Sequence, residues 1–115
     1  MAATLAATAT QRIEIATAVS IAFARSPMVL AMEAWDLQLL TGGRFRLGLG
    51  SQVKGHNERR FSVPWSAPAP RMKEFVQVLR AAWTAFQTGE RPDFAGRHYQ
   101  LSLITPNFDP GPIAF

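Results

Sequence analysis

The residues best equipped for chemistry lie in one stretch, GGRFRLGLGSQVKGHNERRF, from Gly42 to Phe61. Ser51 and Gln52 carry hydroxyl, amide and backbone N–H groups of the kind that bind phosphate. His56 is of the residue type that serves as a proton donor. Lys54, Arg59 and Arg60, with Arg44 and Arg46 upstream, supply positive charge for an anion. The glycines at 48, 50 and 55 invite comparison with phosphate loops. The G-x-G-x-x-G fingerprint needs its third glycine at position 53, where Val53 stands, and no G-K-[ST] follows. Neither fingerprint is met. Residue types alone leave a ligand site and an ordinary strand-to-helix loop both open. The more common case for His56 is a solvated loop histidine, and for His98, beside Tyr99, a surface or packing residue. Trp65, between Pro64 and Ser66, either walls a pocket or pins the loop.

Composition removes several alternatives. The chain has 115 residues, 48% of them hydrophobic and 17% charged, which suits one globular domain rather than disorder. It has no cysteine, so neither a disulfide framework nor a thiolate metal site is expected. His56 and His98 stand too far apart in sequence to suggest an imidazole metal site. The net charge of +4 favours anionic partners, but no nucleic-acid-binding module is recognisable, and none is expected to bind here. The apolar stretch Ile13 to Met32 is interrupted by Glu14, Arg25 and Pro27, whereas a membrane span needs about 20 mostly apolar residues. The opening MAATLAATATQR lacks the basic start and apolar run of a secretory signal. A soluble, cytoplasmic protein is expected.

These residues need elements to position them. RIEIATAVSI places Ile13, Ile15, Thr17, Val19 and Ile21 at a period of two, which predicts a strand. Ser26-Pro27 marks a helix start and Thr41-Gly42-Gly43 its end near Leu40. RFRLGLG predicts the next strand, with Phe45, Leu47 and Leu49 on one face and Gly48 and Gly50 on the other. Two glycines on one face suggest that something approaches closely there. An irregular, proline-bearing segment with Pro64, Pro68 and Pro70 follows. RMKEFVQVLRAAWTAF is an amphipathic helix, its Met72, Phe75, Val76, Leu79, Trp83 and Phe86 falling on one stripe. DFAGRHYQLSL reads as a hairpin turning at Ala95-Gly96, and PIAF at the end as the start of another buried strand. Alternating strands and helices predict an α/β fold with parallel strands. A closed barrel of this class takes about 250 residues, so the chain is expected to be a piece of a larger fold.

In order, TQRIEIATAVSIAFARSPMVLA, GGRFRLGLGSQ, the amphipathic helix and FAGRHYQLS resemble the luciferase-like monooxygenase superfamily. FARSP, GRFRLGLGSQVKGHNERRF and PWSAPAPRMKEF look most like its branch of oxidoreductases that use the deazaflavin coenzyme F420. The resemblance implies a partial (β/α)8 TIM-barrel-like domain over residues 1–115, about strands 3 and 4 with their helices plus an insertion hairpin. It implies a cofactor at the carboxyl ends of the strands, F420 or alternatively FMN, and hydride transfer or oxygen activation on a small-molecule substrate.

The same resemblance places a non-prolyl cis peptide at Ala18-Val19, beneath the cofactor ring. It makes Ser51 a contact of the cofactor, with Gln52 and Asn57 as neighbours. Some deazaflavin dehydrogenases carry a catalytic carboxylate two residues after Ser51; Val53 stands there, so no catalytic residue is assigned. The competing expectation is an incomplete copy: an inactive fragment, or a half-barrel whose open strand edges pair with another chain, including a homo-oligomer.

Overall fold

The computed structural model describes residues 1–103, so the PIAF segment lies outside it. In chain order the elements are α1 (Ala2–Ala9), β1 (Ile15–Ala16), β2 (Ser20–Ile21), α2 (Pro27–Thr41), β3 (Phe45–Arg46) and β4 (Leu49–Gly50). They continue with α3 (Lys54–Arg60), α4 (Pro68–Thr88), β5 (Phe94–Ala95) and β6 (Gln100–Leu101). β1 pairs parallel with β3, Ile15 opposite Phe45, and β2 pairs parallel with β4, Ile21 opposite Gly50. β5 and β6 form the antiparallel hairpin, closed by the Gly96 N–H donating to the Tyr99 carbonyl at 2.9 Å. The mixed α/β order with parallel strands matches the sequence reading.

Four features differ from it. RIEIATAVSI is two short strands, not one, separated by Thr17–Val19, and the Ala18-Val19 peptide in that gap is cis. The alternation therefore does not hold as a buried face: Ile15 is buried, while Ile13 and Val19 are more than half exposed. RFRLGLG is likewise split at Leu47-Gly48. The cationic loop contains a helix, α3, and the proline-bearing segment starts α4 at Pro68, where proline costs no internal hydrogen bond.

The core forms where α2 crosses α4. Trp35 of α2 meets Phe86 of α4 edge to face, with ring centroids 5.2 Å apart, and the Trp83 indole donates to the Ala31 carbonyl at 3.1 Å. Phe75, Val78, Leu79 and Phe45 are buried around this contact. Burying each such side chain contributes about 1.5–3 kcal/mol. α2 ends at Gly42, which takes a left-handed conformation (φ 60°) and donates to the Leu39 carbonyl.

Two polar side chains then aim β3. The buried Gln38 accepts the Phe45 N–H at 3.0 Å. Arg44 donates to the carbonyls of Thr10, Ile13 and Thr41, tying the segment before β1 to the end of α2. Among the described residues, no helix is long and apolar enough to cross a membrane.

Candidate functional site

The parallel pairs bring the sequence-predicted residues toward one end of the strands. The Ser20 N–H donates to the Gly48 carbonyl at 2.7 Å, and the Ala22 N–H donates to the Gly50 carbonyl at 2.9 Å. Ser51 and Gln52 therefore leave the sheet beside the exit of β2. The close approach that the glycines forecast comes from the chain itself. A Cβ on Gly48 would collide with the Thr17 carbonyl, and one on Gly50 would stand 3.3 Å from the Val19 Cβ and nearer still to its Cγ2. Gly50 thus has the Val19 side chain lying over it. Val19 itself stays 52% exposed, an apolar surface left open in the gap between β1 and β2. Ala18 and Val19 also border, with Ala2, Ala3, Ala6 and Ile15, a concavity of about 420 Å³ on the α1 side.

The loop after β4 is a tight construction. Gln52 takes φ 59°, a left-handed conformation unusual for a residue with a side chain. The Ser51 hydroxyl donates to the Gln52 carbonyl at 3.1 Å. The carboxamide oxygen of Gln52 lies 2.9 Å from His56 Nδ1, a hydrogen bond when that ring nitrogen carries the proton. Asn57, fully buried on α3, donates through Nδ2 to the carbonyls of Ser51 (2.9 Å) and Val53 (3.1 Å). Its Oδ1 is buried with no partner among the described residues. Asn57 is therefore a brace inside the loop, while Ser51 and Gln52 are half-buried at its surface.

The basic residues do not converge. Arg44 is engaged by backbone carbonyls, Arg46 pairs with Glu14 at 2.7 Å, and Lys54, Arg59 and Arg60 are exposed along α3. Trp65 packs edge to face on Phe23, centroids 6.2 Å apart, which favours the pinning role over a free pocket wall. Among the described residues no cluster of His, Cys, Asp and Glu is placed to hold a metal ion.

One anchor was not foreseen from the sequence. Glu74 of α4 accepts the successive N–H groups of Arg97, His98 and Tyr99 at 2.7–3.2 Å, clamping the hairpin. The backbone N–H of His98, then those of Arg97 and Tyr99, hold its carboxyl below the usual glutamate value. The visible signal was Gly96: a Cβ there would collide with the Glu74 carboxylate.

A family model described as luciferase-like monooxygenase matches residues 1–114. An uncharacterized protein of Mycobacterium tuberculosis is 50% identical over 108 residues, which cover 94% of this chain and 32% of that protein. A proposed coenzyme F420-dependent oxidoreductase of the same organism is 36% identical over 95 residues, covering 82% of this chain and 26% of that protein. The crystal structure of a monooxygenase, RslO1 from Streptomyces bottropensis, superposes with a TM-score of 0.74 at 20% identity, over 89% of this chain and 30% of that one. The chain spans about a third of the length of the first curated relatives it matches.

Proposed function

Because this chain belongs to the luciferase-like monooxygenase family, we propose that it carries part of the cofactor site of a flavin- or deazaflavin-dependent oxidoreductase. The observation that carries this reading is the open Val19 side chain, in the gap before β2, lying over Gly50, the last residue of β4. An exposed apolar side chain beside a residue without one is a bearing surface for a flat ring. Ser51 and Gln52, held by Asn57, lie where they can offer polar groups to the ring edge or to the chain attached to it.

The donor set fits a ring better than a phosphate, because the arginines nearest the strands are already engaged. Coenzyme F420 is the first choice, on the similarity to the mycobacterial protein named for that coenzyme, and FMN the second. Bound there, either cofactor would supply the two-electron chemistry for hydride transfer to or from a small-molecule substrate. The protein's share is orientation: Val19 bears the ring, and the braced loop fixes where Ser51 and Gln52 meet it. Residues 1–115 are, in this reading, one part of a (β/α)8 domain, about strands 3 and 4 with their helices and a hairpin.

The test is a titration of the purified chain with F420 and with FMN, followed by cofactor absorbance and fluorescence. We expect weak saturable binding, tighter for F420 and lost in Val19→Asp. Flat titrations with both cofactors would reject the reading.

A further inference from the structure

Arg71, near the start of α4, touches both the β5–β6 hairpin and the segment between α3 and α4. Its Nε donates to the Tyr99 hydroxyl at 3.0 Å and its Nη1 to the Pro64 carbonyl at 3.1 Å. The guanidinium carbon lies 4.3 Å from the centroid of the Phe23 ring, within range for a cation–π contact. Neither ion pair among the described residues includes Arg71, so a hydroxyl, a carbonyl and a ring fix its place.

The two ends of this connection differ. On the hairpin side, Glu74 holds the backbone of Arg97, His98 and Tyr99, and the Tyr99 ring meets Phe75 edge to face at 5.5 Å. On the other side, Pro64 belongs to the segment between α3 and α4, which has no regular structure and carries Trp65. Trp65 rests on Phe23, and Phe23 directly follows Ala22, whose N–H is bonded to the Gly50 carbonyl. One end is therefore anchored to a long helix, and the other reaches Phe23, next to the residue bonded to Gly50.

We propose that Arg71 is a positioning residue: it uses the anchored hairpin as a fixed point to hold the half-buried Trp65 against the buried Phe23, just past the end of β2. Its importance for a cofactor rests on the reading above; the coupling from hairpin to Trp65 does not. Arginine suits the task because its planar fork donates in two directions while one face stacks on a ring, which a lysine ammonium cannot do.

The experiment uses the full chain and its tryptophan fluorescence. Trp35 and Trp83 are buried, so the half-buried Trp65 dominates what acrylamide quenches, and Trp65→Phe identifies its share. Arg71→Lys and Tyr99→Phe are expected to increase quenching and red-shift the Trp65 emission. The same substitutions made in Trp65→Phe should leave the remaining emission unchanged. Both single variants should also weaken F420 or FMN binding.

Unchanged Trp65 quenching in a folded Arg71→Lys chain would overturn the proposal. Should Arg71→Lys fail to fold, Tyr99→Phe decides it, since that change keeps the ring and removes only the hydroxyl. A wild-type chain that binds neither cofactor sinks the cofactor reading and leaves the fluorescence result to judge the coupling.

Discussion

Thr17 and Gly48 grip each other twice across the parallel strands: the Thr17 hydroxyl donates to the Gly48 carbonyl at 2.9 Å and accepts the Gly48 N–H at 3.0 Å. The grip sits where both strands break, so a side chain supplies the pairing that the ladder leaves out. Thr17→Val keeps the shape and removes both bonds, leaving the Gly48 N–H without its acceptor. We expect a loss of about 1–3 kcal/mol from urea denaturation. Thr17→Ser should retain most of the stability; equal losses in the two variants would show that the hydroxyl is not what matters.

The two glycines of β4 and its approach should respond differently to alanine. At Gly50 the obstacle is a side-chain carbon of Val19, which can be removed; at Gly48 it is the Thr17 backbone carbonyl, which cannot. Gly50→Ala should cost about 1–3 kcal/mol, as overpacking does. In a Val19→Ala background that cost should fall by about 1 kcal/mol, a coupling of the size expected between touching residues. Gly48→Ala should gain nothing from Val19→Ala. The double-mutant cycles measure both, and additive effects at Gly50 would refute the contact.

The sequence made the element order legible because the long segments are strongly patterned. The stripe of Phe75, Leu79, Trp83 and Phe86 has a single helical reading, and Ser26-Pro27 with Gly42 brackets α2. Where short elements meet, the pattern misleads. RIEIATAVSI alternates as an unbroken strand would, and no residue type in it marks the gap at Thr17–Val19. α3 escaped because KGHNERR is polar throughout apart from Gly55, so it has no apolar stripe; only Asn57 is buried on it. The dispersal of the arginines was equally hidden, because Arg44 is used up by carbonyls of Thr10 and Ile13 far away in sequence.

The Glu74 clamp should appear in acid. Its carboxyl sits below the ordinary glutamate value because the folded state offers three backbone N–H donors to the charged form. A depressed carboxylate binds fewer protons folded than unfolded, so its stabilisation is fully present above the unfolded value. It is lost as pH falls through the lower folded value. Glu74→Gln should therefore melt at a lower temperature than wild type at pH 7, with the difference shrinking on acidification. A melting difference independent of pH would mean that the carboxylate charge contributes nothing.

Asn57 sets the last expectation, and its geometry ranks the substitutions. Nδ2 satisfies the carbonyls of Ser51 and Val53, while Oδ1 is buried with no partner among the described residues. Asn57→Ala removes both donors and leaves two carbonyls short of a hydrogen bond, a loss of about 1–3 kcal/mol. Asn57→Asp should be worse, although it differs from asparagine by little more than a charge. Its ionised carboxylate has no proton to donate, would face both carbonyls with like polarity, and would have to be desolvated in a fully buried place. Thermal melts at pH 7 should rank wild type above Asn57→Ala and Asn57→Ala above Asn57→Asp. Lowering the pH should protonate the aspartate and recover part of its deficit, while leaving Asn57→Ala where it was. The reverse ranking would mean that the side chain meets solvent after all, and that Asn57 faces a ligand instead of bracing the loop that carries Ser51 and Gln52.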